Sequence, residues 1–500
     1  MNTKKIYKRH LLILTLYCLT VFFVTGTLAQ PNAATNTDAV VDDANQITNH
    51  YTQQKNPTAP PLIIQEGWRA QLLREPVWNS NIYVLEAGLD NQQSIILIHG
   101  LGGLGLQDWQ GLIPSLAREY HVIAFDLPGF ARSERPPGKY SPDNYAKVVA
   151  WLAQELAHGP VIPVGHSMGG AIAVEYTARY PSQVERVVLV SAAGILERRA
   201  LVENATETSI NSIGLPGPIG DLATKIGQIG RRALEWISVP PDPSPALDAI
   251  DPIWVTLFGN YPMVNAAYAL SLHNFVQPVA MFNKPVTIIW GSSDAIAPIR
   301  TGKMLDQMLP NSNLVVIEDA SHAPMHSHPS LFELQLLEAL RGNVQVPPPQ
   351  IPMAYQGNLR CQNSNGVNYS GQYDEIELIG CTNINLTNVS ATRIILRNSL
   401  AYFENVSVAN PDGTALSLEN SFVSATNSEF KGAIAVFATG SRLDFANVTL
   451  QSPNRALRFE QQSRVVASLS NIQSGVYQGS LHGLYDEQNV WIDERLSRRR

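Results

Sequence analysis

Residues 161–170 read VIPVGHSMGG, an apolar run that enters Gly165-His166-Ser167-Met168-Gly169 and leaves into the helix-period stretch AIAVEYTARYP. A Gly-x-Ser-x-Gly turn between a strand and a helix pushes the serine hydroxyl out at the sheet edge. A side chain at either flanking glycine would collide with neighbouring chain. The same rhythm recurs on both sides. SIILIHG, HVIAFD, RVVLVSA, VTIIWGS and LVVIED are short continuous apolar runs separated by helix-period segments, the pattern of a mostly parallel sheet covered on both faces. The expected fold class is therefore α/β, a doubly wound sheet. The stretch from about residue 200 to 282 breaks the rhythm with Gly- and Pro-rich turns and is read as a helical cap over the C-terminal edge of the sheet.

A serine hydroxyl is a weak nucleophile near neutral pH and needs a base, which in turn needs an orienting partner. Later strand ends supply both. Asp294 follows VTIIW in Gly291-Ser292-Ser293-Asp294, and His322 follows LVVIEDA in Ser321-His322-Ala323-Pro324. The order Ser167, Asp294, His322 is the one this fold uses. Asp126, at the end of HVIAFD, is read first as a turn-fixing residue and is the alternative acid. A developing oxyanion needs donors already in place. The Met168 amide at the start of the helix is one, and the turn His99-Gly100-Leu101-Gly102-Gly103 supplies the other, assigned to Leu101 with Gly102 second. His99, His166 and Trp109 flank the site as substrate-binding candidates, with bracing of the oxyanion loop the alternative for the two histidines. His322, His326 and His328 have metal-like spacing, but His322 is already committed; no metal and no cofactor is expected.

The segments IILIHGLGG, HVIAFDLPGFARSERP, VGHSMGGAIAVEYTARYP, IIWGSSDAIAP and ASHAPMHSHP together resemble an α/β-hydrolase of the esterase, lipase and C–C hydrolase type, over about residues 67–342. The resemblance implies a catalytic triad of Ser167, Asp294 and His322 and acyl-enzyme hydrolysis of a carboxylic ester. A C–C bond or amide hydrolase on the same triad is the alternative. Relatives that attack with an aspartate, the haloalkane dehalogenases and epoxide hydrolases, are disfavoured by the serine. After the histidine, relatives commonly carry a glutamate where this chain has Ser327, which puts one supporting contact in question.

The chain opens MNTKKIYKRH and continues LLILTLYCLTVFFV over residues 11–24, with small residues at Thr27 and Ala29. A basic start followed by 14 apolar residues, too short to span a bilayer comfortably, reads as a secretory signal peptide over residues 1–29. An uncleaved membrane anchor is the alternative. The expected location is periplasmic or extracellular. Residues 30–61, rich in Asn, Thr, Gln and Ala and closing in NPTAPP, read as a linker. Cys361 and Cys381 are the two cysteines of the mature chain; an even count in an oxidising compartment points to a disulfide, with two unrelated buried thiols the alternative.

With 500 residues, 45% hydrophobic and 15% charged, the composition is that of a globular chain of more than one domain. The net charge of −7 becomes −11 once the four basic residues of the leader are removed, which excludes nucleic acid as a partner on electrostatic grounds. The hydrolase-like domain is bounded at residues 62–345, and VQVPPPQIP marks a stiff spacer over residues 346–356. From residue 357 to 500 the composition turns rich in Asn and Ser, and NSLAYFENVSV, NSFVSATNSEF, GSRLDFANVTL and QSRVVASLSNI begin at Asn398, Asn420, Gly440 and Gln462. Intervals of 22, 20 and 22 residues are an internal repeat. It resembles the pectate-lyase-like parallel β-helix, a small all-β solenoid; a β-sandwich carbohydrate-binding module is the alternative. The expected partners are a small-molecule or lipid ester at the hydrolase site and a polysaccharide or cell surface at the solenoid. A surface-binding protein with a vestigial hydrolase is the non-enzymatic reading. Oligomeric state is not legible.

Overall fold

The computed structural model describes residues 61–197, 200, 261–343 and 354–487. The expected signal peptide, nearly all of the 30–61 linker, residues 201–260 of the expected cap and most of the proline spacer lie outside the described residues.

The first domain is α/β. Its strands are β1 (Arg69–Glu75), β2 (Ser80–Ala87), β3 (Ser94–Ile98), β4 (His121–Phe125), β5 (Ile162–His166), β6 (Val187–Val190), β7 (Val286–Gly291) and β8 (Ser312–Ile317). They form an eight-stranded sheet in the order β1-β2-β4-β3-β5-β6-β7-β8, antiparallel at β1–β2 and β2–β4 and parallel beyond. Helices α1 (Pro142–Leu156), α2 (Met168–Arg179), α3 (Pro262–Leu272), α4 (Val276–Met281), α5 (Ile299–Met308) and α6 (Pro329–Arg341) accompany it. Period-2 geometry sends alternate residues to opposite faces. Ile96 and Ile98 of β3 join one buried cluster with Val149 of α1 and Ile172 of α2, while Ile95 and Leu97 join another with Phe332 and Leu336 of α6. Burial on both faces explains why these strands read as unbroken apolar runs. Leu127 and Phe130 close the first cluster beneath the strand ends where the loops gather.

The second domain is all-β. Strands β9 (Tyr355–Gln362), β10 (Asn368–Ile379), β11 (Ile384–Arg397), β12 (Leu400–Glu419), β13 (Phe422–Thr439), β14 (Arg442–Ser452), β15 (Leu457–Glu460), β16 (Arg464–Ser474) and β17 (Gln478–Asp486) form one nine-stranded sheet. Every pair is parallel except β16–β17. Strand β9 begins at Tyr355, inside the stretch read as spacer. The parallel register stacks like on like: Ile384, Ala401, Val423, Leu443 and Val465 lie one above the next, all buried. Phe403, Phe430 and Phe445 follow at ring-centroid spacings of 6.4 and 6.0 Å. A Cys361–Cys381 disulfide joins the end of β9 to the turn before β11.

The repeat has a physical cause at its corners. Asn398, Asn420, Gly440 and Gln462 all have positive φ, between +47° and +63°, a conformation that Gly and Asn adopt most readily. The next residue is a serine at each corner. Its hydroxyl accepts the backbone N–H of the layer before: Cys381 N–H to Ser399 Oγ, Ser399 N–H to Ser421 Oγ, Ser421 N–H to Ser441 Oγ and Ser441 N–H to Ser463 Oγ, at 3.0–3.1 Å. A second line of positive-φ asparagines runs through Asn388, Asn405, Asn427 and Asn447. Here Asn405 donates its Nδ2 to Asn388 Oδ1 at 3.1 Å, and Asn447 donates to Asn427 Oδ1 at 2.9 Å. Two glycosylation-like Asn-x-Ser/Thr sites are thus ladder positions whose amide nitrogens are already engaged.

Ser421→Ala removes an acceptor from the buried Ser399 N–H and a donor from the Glu419 carbonyl. The expected cost is about 1–3 kcal/mol of unfolding free energy, read as a shift in the urea midpoint with unchanged m-value.

Candidate active site

Strand β5 ends at His166 and α2 starts at Met168, leaving Ser167 alone in the turn with φ +54° and ψ −119°. The turn closes only because its glycines lack side chains. A Cβ on Gly165 would lie 2.2 Å from the Gly169 carbonyl oxygen, and one on Gly169 would lie 2.2 Å from the Ile98 carbonyl oxygen. The structure brings the three predicted side chains together. His322 Nε2 lies 2.9 Å from Ser167 Oγ, and His322 Nδ1 lies 2.9 Å from Asp294 Oδ2 and 3.1 Å from Oδ1. Asp294 is itself clamped: its Oδ1 accepts the N–H groups of Ile296 at 2.9 Å and Ala297 at 2.8 Å. With Nδ1–H donating to the carboxylate, Nε2 is left as the acceptor for the serine proton.

Asp126, the alternative acid, is spent elsewhere. Its Oδ1 accepts the Leu106 N–H at 2.7 Å and its Oδ2 accepts the Arg132 N–H and guanidinium at 3.0 and 3.2 Å. It fixes the loops around Leu106 and Arg132 rather than meeting His322. His99 is fully buried between two loops. Its Nδ1 donates to the Gly100 carbonyl at 2.7 Å and its Nε2 accepts the Leu127 N–H at 2.9 Å, which commits both ring nitrogens to backbone. Its ring is therefore a brace, and neither nitrogen is available to a substrate. Trp109 is also fully buried and meets His166 edge to face at 6.4 Å.

The turn after β3 passes directly beside the nucleophile. A Cβ on Gly100 would come within 3.0 Å of Ser167 Cβ, so the following residue, Leu101, sits in the backbone that flanks the serine. Met168 is the first residue of α2, and an N–H at that position has no intrahelical acceptor. These are the two amides expected to face an oxyanion.

Three contacts were not foreseen from the sequence. His166 donates Nε2–H to the His322 carbonyl oxygen at 2.9 Å, a bond across 156 residues that pins the backbone of the base. Burial, assisted by the charge of nearby His322, pushes the His166 pKa down to about 4, so the ring stays neutral. Trp290 Nε1 donates to the Ala297 carbonyl at 2.8 Å and fixes the loop that holds Asp294. Ser327, standing where a glutamate was anticipated, accepts the Ser321 N–H through its Oγ at 3.2 Å. His326 instead approaches Asp108 at 3.7 Å, and among the described residues no group of three or more metal-ligating side chains gathers.

A model of the α/β hydrolase fold matches residues 93–210. An uncharacterized protein of Mycobacterium tuberculosis is 32% identical over 254 residues, a match that covers 48% of this chain and 72% of that protein. The chain belongs to the α/β-hydrolase family. It is similar to the pimeloyl-[acyl-carrier protein] methyl ester esterase of Pectobacterium atrosepticum, 27% identical over 49% of this chain and 92% of the relative. It is likewise similar to a non-heme chloroperoxidase of Streptomyces lividans, 28% identical over 52% of this chain and 95% of the relative. The protein is an enzyme of this hydrolase class.

The pKa of His166 carries a stability consequence. In the unfolded hydrolase its pKa is near 6.5 and in the folded one about 4, so as pH falls the unfolded chain takes up the proton first. The stability contributed by neutral His166 is complete above about pH 6.5 and is lost towards pH 4, a swing on the order of 3 kcal/mol. Unfolding free energies of wild type and His166→Gln, measured from pH 7.5 to 4, are expected to converge as the pH drops.

Proposed function

We propose that this hydrolase is exported and cleaves carboxylic esters of small molecules or lipids through an acyl-enzyme on Ser167. The observation that carries the reading is the unbroken run of hydrogen bonds from Asp294 through His322 to Ser167 Oγ. As Ser167 Oγ bonds to the ester carbonyl carbon, His322 Nε2 takes its proton, and Asp294 stabilises the imidazolium across Nδ1. The Met168 and Leu101 amides hold the oxyanion. Collapse breaks the bond to the alkoxide, which leaves with the proton from His322. A water then gives its proton to the same nitrogen as its oxygen attacks the acyl carbon, and Ser167 departs with that proton restored. No redox group enters the balance. Similarity to a methyl ester esterase supports the choice of esters among the substrates this geometry serves. In the same reading the all-β domain is a short parallel β-helix, a proposal supported by strands that follow one another in sequence yet pair in parallel across connections as short as residues 398–399.

Wild-type enzyme is expected to turn over p-nitrophenyl esters of graded chain length and to be labelled at Ser167 by a fluorophosphonate. Ser167→Ala should lose the label and about 10⁶-fold in kcat, and Asp294→Asn about 10⁴-fold. A wild type that labels at Ser167 but hydrolyses no ester would remove the ester assignment and keep the nucleophile. Export is checked separately: mass spectrometry of the protein recovered outside the cytoplasm should find an N-terminus at Gln30.

A further inference from the structure

The all-β domain packs directly against the α/β domain. Its face meets the α/β domain at α5, the helix that begins five residues after Asp294. Arg300, the second residue of that helix, donates from Nη1 to Asp444 Oδ2 at 2.5 Å and to Ser424 Oγ at 2.8 Å, and from Nη2 to Asp444 Oδ1 at 3.1 Å. The carboxylate is almost wholly buried, with a side-chain exposure of 3%, and the guanidinium is 14% exposed. One turn later Lys303 pairs with Glu404 at 2.7 Å, and Asn427 Nδ2 donates to the Lys303 carbonyl at 3.0 Å. After β6, Ser468 Oγ accepts the Glu197 N–H at 2.8 Å. Ala446, Val466 and Leu469 of the all-β domain belong to the same buried cluster as Ile195, Leu196 and Trp290 of the α/β domain.

A bidentate, buried Arg–carboxylate pair is directional and resists displacement. What it holds here is short and leads straight to the acid. From Arg300 the chain runs back through Pro298 to Ala297, whose N–H and that of Ile296 clamp Asp294 Oδ1 and whose carbonyl accepts Trp290 Nε1. Gly302 presses α5 onto the Trp290 ring, where a Cβ would come within 2.8 Å. The acid loop is thus gripped from inside by Trp290 and from outside by the neighbouring domain.

We propose that the all-β domain is a positioning element of the active site, acting through the Asp444–Arg300 pair on the loop that presents Asp294 to His322. This rests on the triad reading above. Asp444 and Arg300 touch neither substrate nor the reacting atoms; they set the aim of the Asp294 carboxylate, and misplacement of that kind lowers the rate of chemistry without weakening substrate binding. Lys303–Glu404 lies a turn further from the loop and is 31–35% exposed, so it serves as an internal comparison: it fastens the same two domains but does not lead into residues 294–297.

The test uses the full chain and follows the rate of Ser167 labelling by a fluorophosphonate, together with kcat and KM on whichever ester wild type turns over best. Asp444→Asn, nearly isosteric, is expected to lower both kcat and the labelling rate roughly tenfold with KM changed less than about twofold. Glu404→Gln should leave all three near wild type. Arg300→Asp combined with Asp444→Arg restores a pair of opposite charge and should recover part of the labelling rate lost in either single variant. A folded Asp444→Asn protein, with circular dichroism and melting temperature near wild type, that labels at the wild-type rate would overturn the proposal. So would equal losses in Asp444→Asn and Glu404→Gln that track their melting temperatures, because the contact would then be a fastening alone. If Asp444→Asn fails to fold, Ser424→Ala, which removes a single bond to Arg300, carries the same comparison at a smaller loss. A wild type that does not label at Ser167 would refute the triad reading itself, an outcome distinct from any of these.

Discussion

Ser167 is held in a backbone conformation that L-residues rarely adopt, and the rest of the α/β domain is arranged so that it has nowhere else to go. Its N–H donates to Val190 in β6, and its carbonyl accepts from Gly170, Ala171 and Ala193. Those bonds tie one strained residue to two neighbouring elements, so the strain is carried by the sheet and by α2 rather than by the turn alone. The glycines on either side are the condition for it. Any side chain at residue 165 or 169 would meet backbone atoms, which do not swing aside as a rotamer does.

Around that fixed point the site is built from loops at strand ends whose polar groups are already paired before any substrate arrives. Two buried carboxylates illustrate the division of labour. Asp126 directs both oxygens into its own and neighbouring loops, whereas Asp294 gives one oxygen largely to backbone amides and turns the other to His322. Preorganisation of this kind lets the base be oriented without solvent reorganisation during the reaction. Neutral His166 adds to it by holding the carbonyl of the very residue that must move a proton.

Much of this was legible in the chain. Unbroken apolar runs announced a sheet buried on both sides, and the order of serine, aspartate and histidine along it marked the side chains that meet. The roles of His99 and Trp109 were harder. Their proximity to Ser167 follows from the fold, but whether a ring nitrogen faces a ligand or a neighbouring carbonyl depends on loop geometry that no spacing encodes. In the second domain the repeat was visible from Asn398 onward because each corner there combines a positive-φ residue with a serine. The earlier layers escaped notice: β10 and β11 are offset by only 17 and 18 residues, and one corner carries Gly380-Cys381 instead. The Arg300–Asp444 pair joins residues 144 apart in sequence and could not be read from either segment alone.

The stacking registers of the second domain also show where its length is adjusted. Between β13 and β14 the offset is 20 residues along the whole pairing, and between β14 and β16 it is 22. Between β12 and β13 it changes from 22 to 20 across Asn410 and Thr414, and between β11 and β12 from 17 to 22 across Ala391 and Ile394. The serine and asparagine lines are therefore kept in register while the largest changes of offset fall at one bend of β12, so residues 410–414 mark the place where a foreign peptide could be grafted for display without shifting a rung of either ladder.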